Sequence, residues 1–377
     1  MSYTPMINNS THDSCINAFW ELVRCGLSGD TPREKLFSTL DDNMWEEVYH
    51  HVTVQAVIGI CYQAVQTLPK TYQPSWPLLM KWHVHANYII SSNEKQRKVW
   101  FEMNRRFRET GLRPLLMKGI SIAAYYPSPL HRSTGDLDVY IKEFDEAVKL
   151  VESWGLQVKH GVWHHQFVYD GVDVELHHSY WGQNSTSENC FKEINEPEGD
   201  YMVLDELANA RLQIEHVVHH LLEGGVGVRH LCDWAVFVAK CQQSLDIEKL
   251  NKYFKKKKLN AFVRVFSDLA AERLGNQYSL HQPDVNIKDK DKYVRLLEQD
   301  MLEYGNFGTG NPEINRSEFK CLPILEKWKV VWRRIIRVWA FHALCPVDVQ
   351  NYIGSMLVYV CKSIFSGRAF SHTIHEK

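Results

Sequence analysis

At 377 residues with 45% apolar content, the chain is long enough to bury sizeable cores in two or three packed units. Its formal charge is only −2, which excludes the global field of a nucleic-acid coat or membrane-surface binder and makes any phosphate recognition local. Nine cysteines without CxxC spacing argue against a zinc ribbon or disulfide framework. No leader pattern or membrane-spanning apolar run is found, so a soluble, cytoplasmic protein is expected.

From Cys15 to about Leu68 apolar residues recur at helical spacing, interrupted by Gly29-Asp30-Thr31-Pro32, and predict a small helical bundle. Pro74 and Pro77 open a long helical pattern running to Glu109, stopped by Gly111 and expected to brace the domain on its C-terminal side. The texture then changes to short apolar runs at 114–117, 137–141, 166–169 and 172–176, which read as strands with helical segments near 119–125 and 144–154. Beyond Asp200 the helical period returns through Leu204, Leu207, Ile214, Val217, Val218 and Leu221 and continues almost to Phe365, with 303–318 the least regular stretch. The run Lys255 to Lys258 reads as a helix end, where cations meet the negative end of the dipole. Trp328, Trp332 and Trp339 fall on one helical side beside Arg333, Arg334 and Arg337; core packing is the preferred reading, a groove for a nucleic acid or anionic partner the weaker one. The pattern predicts an α+β protein: a helical region over 1–110, a core of strands and helices over 111–200, and a helical region over 201–377.

In Gly135-Asp136-Leu137-Asp138-Val139 the two carboxylates leave one face of a strand while Leu137 and Val139 enter the core. Two carboxylates so close repel each other, and a shared divalent cation with a preference for hard oxygen ligands relieves that repulsion. Upstream, a strand ends in Lys118-Gly119 with Ser121 at a helix start, where glycine allows close backbone approach and free N–H groups can meet phosphate. Downstream, Asp173, Glu175 and His177 alternate with apolar residues on one strand face, so a third carboxylate can join the first two if these strands are neighbours. Three carboxylates beside a glycine turn suit two-metal phosphoryl transfer.

The stretch Leu116-Met117-Lys118-Gly119-Ile120-Ser121, then Tyr126-Pro127, Arg132, Gly135-Asp136-Leu137-Asp138-Val139 and Glu175-Leu176-His177, resembles the uncharacterised nucleotidyltransferase family of the DNA polymerase beta-like superfamily. Gly227-Val228-Arg229-His230-Leu231-Cys232-Asp233-Trp234 is similar to that family's helix bearing Arg and Asp. The resemblance implies a mixed-sheet nucleotidyltransferase core flanked by helices, with Asp136, Asp138 and Glu175 as catalytic carboxylates holding two Mg2+ ions, or Mn2+. Glu175 is preferred over Asp173 by that match. It further implies an NTP substrate, with Lys118, Gly119, Ser121, Arg132 and Gly135 toward the nucleotide. The acceptor stays open between a small molecule, a sugar and a protein, and the near-neutral charge argues against a long nucleic acid.

Lys118 and Arg132 are the candidate triphosphate cations, the alternative being ion pairs with the aspartates. His177 is expected to hydrogen-bond within the site, and Arg229 and Asp233 to pair on a helix beside the sheet with His216 near them. His216, His219 and His220 stand at metal-ligand spacing, yet packing is preferred because a second ligand cluster is missing. Two other functions are kept: a nucleotide-binding regulator or scaffold without turnover, motivated by Gly119-Ile120 where the superfamily carries Gly-Ser or Gly-Gly, and a phosphohydrolase using the histidines.

Overall fold

The elements begin and end where local chemistry changes. The computed structural model describes residues 9–179, 190–280, 285–310 and 324–365. Helices α1 (Asn9–Ser28), α2 (Asp42–Val54) and α3 (Ile58–Thr67) form the expected N-terminal bundle, and the Asp41 carboxylate starts α2 by accepting from the Met44 N–H at 2.9 Å. Helix α4 (Trp76–Glu109) carries Pro77 in its first turn, where a missing N–H costs nothing, and is closed by Gly111 at φ +86°. Its two halves serve different cores: Leu78, Trp82 and Ala86 pack among helices, whereas Val99, Trp100, Met103 and Phe107 pack under the sheet.

The sheet is mixed and has six strands: β1 (Leu115–Met117), β2 (Leu137–Tyr140), β3 (His164–Tyr169), β4 (Val172–His177), β5 (Phe191–Ile194) and β6 (Tyr201–Leu204), in the order β3-β4-β2-β1-β6-β5. β1 is antiparallel to β2 and parallel to β6, β2 is parallel to β4, and the β3–β4 and β5–β6 pairs are antiparallel. Asp170 and Gly171, both with positive φ, make the two-residue turn whose twist matches the flanking strands and so set the β3–β4 register. Helices α5 (Gly119–Ala123) and α6 (Phe144–Ser153) lie where helical segments were expected.

β5 and β6 are strands that the hydrophobic period did not reveal. Leu204, expected to begin a helix, ends β6, because Tyr201-Met202-Val203-Leu204 finds backbone partners on β1 from far upstream. The helix starts only after Asp205, whose carboxylate accepts from the Ala208 N–H at 2.7 Å. From there run α7 (Glu206–Glu223), α8 (Val228–Cys241), α9 (Ile247–Lys257), α10 (Asn260–Leu274), α11 (Lys290–Tyr304), α12 (Ile324–Trp339) and α13 (Pro346–Phe365). Lys255, Lys256 and Lys257 occupy the last turn of α9, and Lys258 closes it in the left-handed conformation. Of the stretch 303–318, α11 takes the first residues and turns lead on to 310; the remainder lies outside the described residues.

Strand alternation gives the sheet two unlike faces. Leu116, Leu137, Val139, Val174, Leu176 and Val203 face α4 and α6. On the other face Leu115, Met117, Tyr140 and Leu204 are covered by Ala208 and Leu212 of α7, while Asp138, Glu175 and His177 share that face where it opens. α7 and α8 belong to a large helical core with α1–α3. Gln55, fully buried after α2, locks this arrangement: its side chain donates to the Met301 carbonyl at 2.7 Å and accepts from the Val228 N–H at 2.9 Å. It thereby occupies the N-terminal end of α8.

The tryptophans of α12 correct the packing expectation. Trp328, Trp332 and Trp339 are 38%, 63% and 55% exposed, and among the described side chains of this helix Val331 and Val338 are the buried ones. The orientation comes from charge: Arg337 donates two 2.7 Å bonds to the buried Asp300, turning the tryptophan stripe outward. Among the described residues no helix is long and apolar enough to cross a membrane.

Candidate active site

The parallel pairing of β2 and β4 puts Asp138 directly beside Glu175 and Tyr140 beside His177, with Asp136 just ahead of β2. Lys118 Nζ donates to Asp138 Oδ1 at 2.7 Å, and His177 Nε2 meets the same oxygen at 2.9 Å. Glu175 receives Gln166 Nε2 at 2.9 Å and lies 3.1 Å from His164 Nε2, both residues coming across the hairpin from β3. Burial alone would raise the Asp138 carboxyl, but Lys118 and His177 outweigh it and hold Asp138 far below its usual range. Glu175 is depressed in the same way, with His177 and Gln166 overcoming burial. Those charges leave Asp136 as the odd carboxyl: enclosure by the cleft walls, then repulsion from Asp138 and Glu175, raise it to about 7. Asp136 is open to solvent, so that enclosure is a walled mouth and not a dry interior. Lys118 itself sits at φ +46° and ψ −144°, a strained backbone for a residue with a side chain.

A polar clamp holds the segment that delivers Asp136. Asn93 of α4 donates to the carbonyls of Leu130 and Arg132 at 2.7 and 2.9 Å, and Gln96 donates to the Gly135 carbonyl. From the other side Arg132 forks onto Asp233 of α8 at 2.6 and 2.7 Å, and the Tyr126 hydroxyl adds a 2.7 Å bond. All three groups are buried.

Between the open sheet face and helices α7 and α8 lies a cavity of about 710 Å³. Its wall carries Lys118, Asp136, Asp138, Glu175, His177, His216, His220, Arg229 and His230. Arg229 Nη1 donates to the Ser133 carbonyl at 3.2 Å, and its guanidinium lies 5.6 Å from the Phe307 ring. Burial, then the charge of Arg132, pull its pKa below the usual value for arginine. Phe307 is brought over the cavity by close packing of the turn at 305–308 on Gly227, where an added Cβ would come within 2.7 Å of Asn306.

Residues 41–275, more than half of the chain, match the uncharacterised nucleotidyltransferase family. The chain belongs to that family. No curated protein matches it. A solved structure described as an antigenic nucleotidyltransferase-like protein from Paracoccidioides brasiliensis is similar at 13% identity, over 42% of this chain and 86% of that one, with a TM-score of 0.30.

In this nucleotidyltransferase-family chain Asp136, Asp138, Glu175, His177, Lys118, Gly119, Gly135, Arg132, His216, Arg229 and Asp233 all reach the cavity, whereas Asp173 and Ser121 do not line it. Asp173 is an exposed residue farther along β4, and the Ser121 hydroxyl is turned back onto the Lys118 carbonyl at 2.7 Å. Helix α5, read as a phosphate-binding start, has only five residues and a correspondingly small dipole. Arg132, read as a phosphate cation, is committed to Asp233, so the expected Arg229–Asp233 pair gives way to a bidentate fork from the facing segment. Asn93, Gln96, His164 and Gln166 were missed. The two Gln/His partners were open to inference, because the Asp170-Gly171 turn pairs Gln166 with Glu175 and His164 with His177.

Replacing Arg132 by Met is expected to cost about 3–5 kcal/mol, since Asp233 is left buried and unpaired. The Arg132→Met/Asp233→Leu double variant is expected to recover much of that loss in urea denaturation. In metal-free protein, native Asp136 keeps its proton up to about 7 whereas the unfolded chain releases it near 3.8, so the native state binds the extra proton and stability falls as pH rises through this window. Asp136→Asn is expected to flatten that fall, read as melting temperature against pH in the presence of a chelator.

Proposed function

We propose that the cleft is a polymerase beta-like nucleotidyltransferase site that moves a nucleoside monophosphate from an NTP to a hydroxyl-type acceptor, releasing pyrophosphate. The observation that carries this reading is the Asp138–Glu175 register pair with Asp136 beside it, on an open sheet face walled by Lys118 and Arg229. On this reading residues 111–200 are the catalytic core and the helical regions 1–110 and 201–377 enclose it. The acceptor class, whether small molecule, sugar or protein, is left to experiment.

The donor set fits Mg2+, and Mn2+ by the same preference, because Asp136, Asp138 and Glu175 offer hard carboxylate oxygens. When bound, such ions would supply charge to the triphosphate and acidify the attacking hydroxyl. The chain's own groups do the rest. Lys118 Nζ, held against Asp138, can pass to a phosphate oxygen. Arg229 offers a guanidinium fork from the opposite wall, since the carboxylate one turn along its helix is already held by Arg132. Glu175, aimed by Gln166 and His164, accepts the hydrogen bond of the acceptor hydroxyl.

A second reading, nucleotide binding without turnover, draws on one observation: the Ser121 hydroxyl is engaged by the Lys118 carbonyl beside the Gly119-Ile120 pair. Magnesium-dependent pyrophosphate release from the four NTPs separates the two. It is expected in wild type and to fall by roughly 10³-fold or more in Asp136→Asn/Asp138→Asn. Tight NTP binding with no release, even with cell extract as acceptor source, would favour the second reading. Arg229→Met is expected to weaken NTP binding by about tenfold or more, the size of one charge-assisted hydrogen bond, measured by titration calorimetry.

A further inference from the structure

Outside the carboxylate cluster, the same cavity wall brings three histidines to one point. His216 and His220 stand one turn apart on α7, their Nε2 atoms 2.8 Å from each other. His230 enters from α8, and one ring nitrogen of each of the three lies within 4.8 Å of the others. The α7–α8 turn, tightened by Gly225 and Gly227 against the segment at 304–308, makes this convergence. The Phe307 ring covers it from outside, its centroid 4.7 Å from that of His220 and 5.6 Å from that of His230.

Packing alone does not account for the arrangement. His230 is 4% exposed, and among the described residues neither of its ring nitrogens makes a well-formed hydrogen bond, the Gly227 backbone offering only a marginal contact. Buried polar atoms are nearly always partnered, and one left over calls for an unseen group. Asp233 does not complete a histidine–carboxylate set, because Arg132 and Tyr126 hold it. His219 turns instead to Glu223 at 3.2 Å. The second ligand that the spacing on α7 lacked is therefore His230.

We propose that His216, His220 and His230 form a binding site for a divalent transition metal of the zinc class, separate from the carboxylates. Tetrahedral zinc takes imidazole nitrogens at about 2.0–2.1 Å, which sets ligand atoms roughly 3.3 Å apart. The present spacing reaches that by small ring rotations. Three imidazoles leave one coordination position for water or an anion, and the cavity gives access to it. Imidazole nitrogen favours zinc, cobalt and nickel, whereas carboxylate oxygen favours magnesium; Glu175 with His164 and His177 is a mixed set that the test must also silence. Glu223 forms a competing set with His219 and His220, and the test distinguishes it.

The full chain, stripped with chelator and carrying Asp136→Asn/Asp138→Asn/Glu175→Gln to silence the carboxylates and the His164–Glu175–His177 set, is titrated with Co2+ and followed by visible absorption. One equivalent with the intense bands of four-coordinate cobalt, displaced by Zn2+, is expected. His230→Ala and the half-buried His220→Ala are each expected to lose these bands while keeping a cooperative thermal transition, and Glu223→Gln to retain them. Absence of the bands in the parent protein, or their survival in a folded His230→Ala, overturns the site. Loss in Glu223→Gln with retention in His230→Ala assigns the metal to the other set and also overturns it. None of these readouts depends on nucleotide turnover, so the failure of either reading leaves the other standing.

Discussion

The site rests on the buried fork between Arg132 and Asp233. It joins the segment that leads into β2 to the second helix of the α7–α8 pair, and so ties the sheet to the helical core across the cleft. Buried ion pairs are poor sources of net stability because desolvation opposes attraction, and their usual service is to make one arrangement unique. Here the unique arrangement is the height of α8 above the open sheet face. Asn93 and Gln96 hold the same segment from α4, so Asp136 is delivered by backbone pinned on both sides. Arg229 and His230 occupy the wall because Asp233, on the same helix, is anchored.

Charge then determines how the open face is organised. Three carboxylates cannot all ionise in an enclosed mouth without compensation. Lys118 and His177 supply it at Asp138, the His177 imidazole being pushed toward its protonated form because Asp138 and Glu175 outweigh its burial. The remaining carboxyl, Asp136, holds its proton further up the pH scale than an ordinary aspartate. The strained backbone at Lys118 belongs to the same design, since a relaxed turn would aim Nζ elsewhere.

On the two proposals, the cavity carries two sets of metal-capable ligands within one wall. Carboxylate oxygens, with His164 and His177 beside them, come from the strands, three further imidazoles come from a helix pair, and the α7–α8 turn, through its glycines, sets the distance between the helices. Strands aim alternate side chains at one face, whereas helices aim residues one turn apart, so each cluster has the spacing natural to its element.

Sequence alone determined the pieces whose geometry is local. The alternation around Asp136 and Asp138, and around Glu175 and His177, places those residues on one strand face in any strand they form. The prolines and Gly111 bounded α4, and the family likeness came from motifs that are contiguous in the chain. Tertiary structure decided everything that depends on which element lies opposite which. β6 became a strand because β1 offered free backbone, and β5 because β6 then offered its other edge, partners that their own short apolar runs do not announce. Arg132 turned from phosphate to Asp233, the tryptophans of α12 turned outward, and His230 joined His216 and His220 for the same reason: long-range pairing is set by burial and charge across the fold, and a one-dimensional spacing carries no information about it.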